Sequence, residues 1–232
     1  MNWWQSIKLG QREFGSYTKV QTIYSQHIRD KSWQYARVPS SKRYLNVGPG
    51  TNIDPKFVNV DWQWRPGIDV CLDIANGLGF PDKRFDGIFT EHCLEHVSFQ
   101  QCVKVAQDFF RILVPGGRLR IIVPDGGLYL DLYQKWKVGD RTPFPYVDPQ
   151  GQRDLEEDSR YGFTPMMAVN RIFRGYDHRF AWDFETFERL LSHVGFVAIE
   201  RSSFRQGADA MLLIDSEVRR PQSLFLECRR PA

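Results

Sequence analysis

The sequence predicts an α/β fold, in which a mostly parallel sheet carries helices on both faces. From Tyr44 onward, short apolar segments of strand character alternate with segments of helical periodicity. The first predicted strand ends in the glycine-rich turn Gly48-Pro49-Gly50. The 232 residues are 42% hydrophobic and 25% charged, which is an ordinary globular composition. Strands that alternate with helices are typical of a parallel sheet, because the helix in each crossover covers one face of it.

Seven short apolar segments are predicted as strands, each bounded by turn residues. They cover 44–48, 57–61, 69–74, 85–91, 118–124, 196–204 and 223–230. About twenty residues join the last two segments. We therefore expect these two to form an antiparallel pair at one edge of the sheet.

Helical periodicity marks the segments between these strands. Apolar residues recur at helical spacing in 99–113, where Ser98 is a suitable N-cap. The segment 183–196 has the same periodicity and begins at the N-cap Asp183. Residues 128–136 also have helical character.

The chain divides into an extension and one larger domain. Residues 1–42 are basic, aromatic and partly helical, and 43–232 form the domain, with an insertion at about 137–180. Up to Arg43 there are eight basic and two acidic residues, although the net charge of the whole chain is only +3. A solvated extension is favoured over a docking surface for an anionic partner. The insertion, rich in Pro, Gly and charge, is interpreted as a lid or a wall of the active site.

Composition also limits the cellular setting. The four cysteines contain no CxxC pair, and two fall in predicted core strands, which indicates buried thiols in a reducing compartment. No apolar run reaches the roughly 18 residues that span a bilayer. The first ten residues lack the apolar region of a secretory signal. We therefore expect a cytoplasmic protein without a membrane partner.

Polar or glycine residues end three consecutive predicted strands. Gly48 and Gly50 follow the first strand, Asp61 ends the second, and Asp73 with Ile74 ends the third. In open parallel sheets, ligands bind beyond the carboxyl ends of the strands, where a carboxylate accepts ribose hydroxyls. Each aspartate alone is better explained as a turn residue or helix cap. Together, the three strand ends predict a nucleoside site.

The same region departs from the dinucleotide fingerprint. That pattern needs a third glycine, a following helix and an acid about 20 residues on. Here Ile53 stands at the third position, Pro55 interrupts any helix, and Asp61 follows Gly48 by only 13 residues. Without a helix N-terminus to face it, a pyrophosphate loses its main electrostatic partner. The predicted ligand therefore carries no diphosphate.

Several segments resemble one known family. The sequences YLNVGPGTN, FVNVDW, CLDI, LGFPDKRFDGIFTEHCLEHV, FFRILVPGGRLRIIVPD and FETFERLLSHVGF follow one another as in class I S-adenosylmethionine-dependent methyltransferases. The closest similarity is to predicted small-molecule (type 11-like) methyltransferases with a shortened first crossover, over roughly 43–230. The resemblance implies a Rossmann-like sheet of seven strands, with the last strand antiparallel, and S-adenosylmethionine as cofactor.

The resemblance also implies roles by position. Gly48 and Gly50 would face the methionine part of the cofactor, and Asp61 would hold the ribose. Asp73 and Ile74 would frame the adenine.

Further implied roles lie at two other strands. Glu91 and His92, after the fourth strand, would border the methionine end and the transferred methyl group. The family usually has an acid at the position of Asn46. Asn46 can still form hydrogen bonds with the cofactor, but it brings no charge for the ammonium group.

One motif suggests a metal. His92 to His96, HCLEH, matches the zinc-peptidase pattern H-x-x-E-H, in which Glu95 would serve as base. The pentapeptide follows a strand directly, no helical pattern surrounds it, and the sequence offers no third ligand. We therefore expect no metal and assign His96 to orienting a loop.

Methyl transfer from a sulfonium requires alignment of the acceptor, and an oxygen acceptor usually needs a base. His92, Asp125 and His178 are the predicted catalytic candidates. For Asp125 and His178, a capping or packing role is the structural alternative.

The insertion supplies two further groups whose role stays open. Its aromatic residues would line an acceptor pocket or form a satellite core, and they are Tyr133, Trp136, Phe144, Tyr146, Tyr161, Phe163 and Tyr176. Its arginines would meet an anionic acceptor or lie on the surface, and they are Arg153, Arg160, Arg171 and Arg174.

The sequence is compatible with three functions. The leading hypothesis is methyl transfer to a small-molecule acceptor, such as a sugar or a specialised metabolite. A second is an RNA or protein methyltransferase that docks through the basic extension. The sequence lacks an NPPY motif, which argues against methyl transfer to the exocyclic nitrogen of a base. Nucleic acid is therefore not the expected partner. A third is a non-catalytic cofactor-binding module, because Asn46 replaces the usual acid. The acceptor and the oligomeric state stay open.

Overall fold

A single seven-stranded sheet organises the protein. The computed structural model describes residues 18–145 and 149–232. The strands are β1 (Tyr44–Val47), β2 (Phe57–Asp61), β3 (Val70–Cys71), β4 (Phe85–Glu91), β5 (Leu113–Pro124), β6 (Val197–Arg201) and β7 (Ser223–Arg229). Their order is β3-β2-β1-β4-β5-β7-β6. Only β7 is antiparallel to its neighbours, β5 and β6. The predicted mostly parallel sheet with an antiparallel last strand is confirmed.

Within the described residues, six α-helices accompany the sheet. They are α1 (Lys19–Ile28), α2 (Phe99–Ile112), α3 (Gly126–Lys137), α4 (Pro149–Arg160), α5 (Pro165–Arg174) and α6 (Phe184–Val194). The predicted caps are present, since the Ser98 hydroxyl accepts from Gln101 N and the Asp183 carboxylate accepts from Thr186 N. Within the described ranges, no helix is both long and apolar enough to cross a bilayer. The predicted helix of the extension is seen from Lys19; residues 1–17 and Tyr146 lie outside the described residues.

One face of the sheet packs against α2 and α6. Alternate residues of a strand point to the same face, and the largest core cluster contains such pairs from β1, β2 and β5, including Leu45 with Val47 and Leu119 with Ile121. The apolar sides of α2 and α6 close this cluster through residues such as Phe109. This is the crossover-helix packing that the sequence pattern predicts.

The second face is covered by the long connection between β6 and β7. The crossover between β1 and β2 contains no helix, and Leu212 of the connection packs instead against Phe57, Phe89 and Phe225 of the sheet. The shortened first crossover thus leaves space on this face that a later segment of the chain fills.

A buried ion cluster anchors the connection. Arg120 in β5 is fully buried, and its guanidinium donates to Asp215 Oδ1 and to Glu227 Oε1, each at 2.8 Å. It also donates to the backbone carbonyl of Ser203 at 2.9 Å. Because buried charges need partners, this cluster holds 203–215 against the sheet.

The insertion is largely helical. It contains α4 and α5, and α5 packs on α3 through a satellite core that includes Tyr129, Ala168 and Ile172. Three of the predicted pocket aromatics, Trp136, Phe144 and Phe163, belong to this satellite core. The satellite core positions the C-terminal end of α5 and the histidine that follows it.

Candidate active site

The tips of β1, β2 and β3 lie side by side at the carboxyl edge of the sheet. Val47 pairs with Val60, and Asp61 pairs with Cys71. The backbone N–H of Gly48 donates to the carbonyl of Val60 at 2.8 Å. A cavity of about 1010 Å³ opens at this edge. The strand ends that the sequence predicts to act together are therefore neighbours in space.

The two glycines of the loop have different tasks. Both have a positive φ, +69° at Gly48 and +55° at Gly50, which glycine adopts without strain. A Cβ at Gly48 would lie 2.7 Å from the Cβ of Cys93, so this glycine lets the loop pack against the end of β4. A Cβ at Gly50 would meet nothing within 4 Å. Gly50 therefore leaves bare backbone beside the cavity that it lines.

Asp61 is held by backbone donors. Its Oδ2 accepts from Gly50 N at 2.9 Å, and its Oδ1 accepts from Gln63 N at 3.0 Å. Burial raises the pKa of Asp61, and these N–H groups oppose that shift. The backbone N–H of Trp62 also lowers this pKa. A carboxylate can accept about four hydrogen bonds, so Asp61 keeps acceptor capacity at the cavity that it lines. The arrangement suits a hydroxyl donor.

The third strand end forms the far wall. The carboxylate of Asp73 accepts from Ala75 N at 3.0 Å and caps the short 3-10 turn Ile74–Asn76. Ile74 and Trp62 line the cavity, and Trp62 is 38% exposed. The sequence analysis missed Trp62; the signal was an aromatic residue directly after the strand-end acid. An apolar side chain and an indole suit a flat heterocycle.

Asp30 closes this wall from the N-terminal extension. Its carboxylate accepts from the backbone N–H of Asp73 at 2.8 Å and from the side-chain amide of Asn76 at 2.9 Å. The end of α1 therefore supports the far wall of the cavity directly.

Two residues follow β4 into the middle of the cavity. Glu91 Oε1 accepts from Ser216 N at 2.9 Å, and burial raises the pKa of Glu91. His92 has a positive φ of 49°, which is uncommon for a residue with a side chain. Its Nε2 lies 2.8 Å from Ser223 Oγ, and burial sets the pKa of His92 well below its usual value. Both residues line the cavity.

Glu95 lies at the centre of the other end of the cavity. It is 1% exposed, and His92 Nδ1, His96 Nε2 and His178 Nε2 lie 3.6, 3.9 and 4.0 Å from its Oε1. Burial raises the pKa of Glu95 to about 8 and lowers the pKa of His96 to about 4. Burial also lowers the pKa of His178. The three imidazoles and the carboxyl group thus form one compact cluster.

Backbone contacts bring His178 to this cluster. The N–H groups of Arg179 and Phe180 donate to the carbonyl of Glu95 at 2.7 and 3.3 Å. The H-x-x-E-H segment itself forms a short 3-10 turn at Leu94–His96 and not an α-helix. Sequence reasoning found no third ligand for this motif, and the structure corrects that expectation. His178 provides the third group from 82 residues along the chain.

Two predicted site residues lie outside the cavity. Asn46 is fully buried beneath the glycine loop, where its Nδ2 donates to the carbonyl of Asn52 at 3.0 Å and to Asn59 Oδ1 at 3.1 Å. Asp125 accepts from Leu128 N at 3.1 Å and caps α3. Neither belongs to the residues that line the cavity. For Asp125 the structure therefore supports the capping alternative, and Asn46 supports the loop from below.

Cationic residues also line the cavity. Arg174, Arg179 and Arg219 line it together with Tyr176. Of these, sequence reasoning had singled out Arg174 and Tyr176. Arg219 was missed because its segment, the short 3-10 turn Glu217–Gln222, has no periodic pattern of its own.

The fold and the cavity together define a class. A ligand site at the carboxyl edge of an open, mostly parallel sheet, with a glycine loop and strand-end acids, is typical of nucleotide- and nucleoside-binding α/β proteins. Known proteins narrow this class further. Residues 41–121 match the family model described as "Methyltransferase domain".

Two curated proteins that are similar to this chain are also named as methyltransferases. Demethylmenaquinone methyltransferases from two strains of Tropheryma whipplei, Twist and TW08/27, are each 31% identical over 156 residues. The match covers 53% of this chain and 64% of each relative. The chain therefore spans a little under two thirds of the length of the curated relatives it matches.

Two solved structures illustrate the structural neighbours. An S-adenosylmethionine-dependent methyltransferase from Mesorhizobium loti is 17% identical with a TM-score of 0.46, covering 85% of this chain and 96% of that one. One from Archaeoglobus fulgidus is 15% identical with a TM-score of 0.46, covering 97% and 99%. The family match over residues 41–121 and the strand order agree with the resemblance to class I S-adenosylmethionine-dependent methyltransferases.

The residues of the cavity fit the cofactor of this family, S-adenosylmethionine. The remaining acceptor capacity of Asp61 suits a ribose hydroxyl, and Ile74 with Trp62 suits an adenine ring. The open backbone at Gly50 leaves room for close approach of the cofactor. No pyrophosphate site is required, in agreement with the absence of a helix after the glycine loop.

Proposed function

We propose that the protein transfers a methyl group from S-adenosylmethionine to a small-molecule acceptor. The observation that carries this proposal is a single cavity whose two ends have different chemistry. One end holds the strand tips with Gly50 and Asp61, and the other holds the histidine cluster and three arginines. A donor and an acceptor bound in one cavity react as neighbours, without a bimolecular encounter.

The residues have distinct tasks in this proposal. When bound, the cofactor supplies a methyl group already activated on a sulfonium. Asp61 and the glycine loop hold its adenosine part, and Glu91 borders the middle of the cavity, where the methionine end would lie. His92 and His178 are the candidate bases, since each has a ring nitrogen at the cavity and a lowered pKa that favours the neutral form.

The acceptor end favours a polar or anionic small molecule. Arg174, Arg179 and Arg219 line it, and guanidinium groups recognise carboxylate and phosphate oxygens well. The curated relatives are named for a small-molecule acceptor, demethylmenaquinone. Their name agrees with the class of acceptor proposed here, and their particular acceptor is one candidate to test.

A titration tests cofactor binding first. We expect S-adenosylmethionine and S-adenosylhomocysteine each to bind with a stoichiometry of one in calorimetry and to raise the melting temperature, because a ligand that binds only the folded state stabilises it. NAD, which carries a diphosphate, is the control and should produce neither effect. No heat and no thermal shift with either sulfur compound would remove the proposal.

The class of acceptor is tested by following the transfer of a labelled methyl group. The protein is incubated with S-adenosylmethionine carrying a labelled methyl group and with separate metabolite, RNA and protein fractions. We expect label in the metabolite fraction. Label in RNA, with binding that weakens steeply with salt, would favour the docking alternative, and cofactor binding without transfer to any fraction would favour the non-catalytic alternative.

A further inference from the structure

Three of the five histidines in the chain surround one buried carboxylate. His92, His96 and His178 each place a ring nitrogen within 4.0 Å of Glu95 Oε1. Neither oxygen of Glu95 has a hydrogen-bond partner on another residue in the described part of the chain, and only the backbone N–H of Glu95 itself favours the charged form of its carboxyl group. Buried carboxylates are normally paired or hydrogen-bonded, so this one requires an explanation.

The hydrogen bonds of His178 show which nitrogen faces Glu95. Its Nδ1 lies 2.7 Å from the carbonyl oxygen of Ile172. A carbonyl only accepts, so Nδ1 carries the proton and Nε2 has the lone pair. Nε2 is the atom 4.0 Å from the Glu95 carboxylate. An acceptor nitrogen therefore faces an acceptor oxygen.

His92 has the same relation to Glu95. The hydroxyl of Ser223 donates to the carbonyl of Arg219 at 2.7 Å, so its oxygen accepts from His92 Nε2 at 2.8 Å. The lone pair of His92 is then on Nδ1, which lies 3.6 Å from Glu95 Oε1. Two imidazole lone pairs and the Glu95 carboxyl group thus converge, and neither imidazole places a hydrogen between them.

Such a set of atoms is complementary to a cation. Ligand atoms of Glu95, His96 and His178 all lie within 4.8 Å of one another. Two imidazoles and one carboxylate form the donor set of many zinc and other transition-metal sites. The bond from His178 Nδ1 to a backbone carbonyl is the outer-shell contact that orients metal-binding histidines. Ligand atoms bound to one ion at about 2.0–2.2 Å lie closer together than 4.8 Å, so the side chains would move toward one another when the ion binds.

We propose that Glu95, His96 and His178 bind a divalent transition-metal ion of the zinc, cobalt or manganese group. His92 Nδ1 lies beside the same carboxylate and would be a fourth ligand or a neighbour of the ion. All four residues line the cavity, so the ion is reachable from it and keeps coordination positions open toward it. The proposal departs from the expectation from sequence that the protein has no metal site. It also gives His178 a different task, because an Nε2 lone pair that binds the ion cannot act as a base.

The site also narrows the acceptor, a step that rests on the proposed function. The cluster lies at the acceptor end of the cavity, beside His92, and a divalent ion there would bind an acceptor hydroxyl and lower its pKa. An oxygen acceptor needs such activation, whereas a neutral amine does not. We therefore infer methylation of a hydroxyl group that would be held by the ion: its proton would pass to solvent in the open cavity, its oxygen would take the methyl group from the sulfonium, and S-adenosylhomocysteine would be released.

Metal binding is measured directly and without the cofactor. Tag-free protein is treated with a chelator, dialysed and titrated with Co²⁺, followed by visible absorption, and with Zn²⁺, followed by calorimetry. We expect one ion per chain and ligand-field bands typical of nitrogen and oxygen ligands. Glu95→Gln and His178→Ala should each weaken binding at least about tenfold, since even outer-shell contacts contribute 10- to 100-fold.

Two further variants keep the result interpretable. His193→Ala removes an exposed histidine of α6 and should leave binding unchanged. His96→Ala removes a ligand whose side chain is 28% exposed, so the protein should fold even if Glu95→Gln does not. Equal binding by the wild type, Glu95→Gln and His96→Ala, or no ion above the surface background, would overturn the proposal. Because this assay needs no cofactor, it separates the metal site from methyl transfer: an ion that binds while S-adenosylmethionine does not would leave the site standing and remove the proposed function.

Discussion

The two ends of the cavity differ in whether their charged groups have hydrogen-bond donors. The adenosine end, formed by Gly48, Gly50, Asp61 and Asp73, comes from neighbouring strand tips, and backbone N–H groups occupy part of each carboxylate. The histidine end, formed by His92, Glu95, His96 and His178, joins two distant segments and turns lone pairs toward one another. An end whose charges are already hydrogen-bonded suits neutral hydroxyls, whereas an end of converging acceptors suits a cation. The difference predicts two ligands that bind independently.

The largest expected effect is a loss of stability in the segment that lines the cavity at both ends. Ser216, Arg219 and Gln222 line the cavity, and the ion cluster of Arg120 with Asp215 anchors their segment. Arg120→Met leaves two carboxylates in the interior without their partner, and breaking a buried ion pair in this way costs about 3–5 kcal/mol. Urea denaturation should show this loss of unfolding free energy.

A matched variant checks the origin of that loss. Arg43 forms an exposed ion pair with Asp86 at 2.7 Å, and pairs of this kind contribute about 0–1 kcal/mol. Arg43→Met should therefore change the unfolding free energy by no more than that. Equal losses for the two variants would show that burial of Arg120 is not the cause.

The second effect separates the two ends. Asp61→Asn keeps the shape of the side chain but places an amide against the backbone donors of Gly50 and Gln63. Hydrogen bonds to charged groups contribute about 1.5–3 kcal/mol each, so we expect the affinity for S-adenosylmethionine to fall at least about tenfold in calorimetry. Co²⁺ binding should stay unchanged. A parallel loss of both ligands would show that the cavity acts as one unit.

The smallest effect tests the open backbone of the glycine loop. Gly50→Ala and Gly116→Ala both place a side chain at a positive φ with nothing within 4 Å, and each should cost about 1–2 kcal/mol of stability. Only Gly50 lines the cavity. Thermal unfolding should therefore show similar losses, while S-adenosylmethionine binding weakens for Gly50→Ala alone.

Most of the fold could be predicted from short-range features of the sequence. The cap residues Ser98 and Asp183, the turn glycines after β1 and the acids after β2 and β3 act within a few residues of their own position, and each was readable from sequence. Asn46 shows the limit of this reasoning. Its position in β1 was correct, but its contacts with Asn52 and Asn59 depend on how the loop folds over it.

By itself, the sequence determined the alternation of strands and helices, the glycines and acids at neighbouring strand ends and the missing helix of the first crossover, because periodicity, caps and turn residues act over short distances. Only the tertiary structure decided that His178 meets Glu95 and that Arg120 meets Asp215, pairs separated by 83 and 95 residues. Partners so far apart are brought together by packing of whole elements, and no spacing along the chain encodes which side chains will then converge.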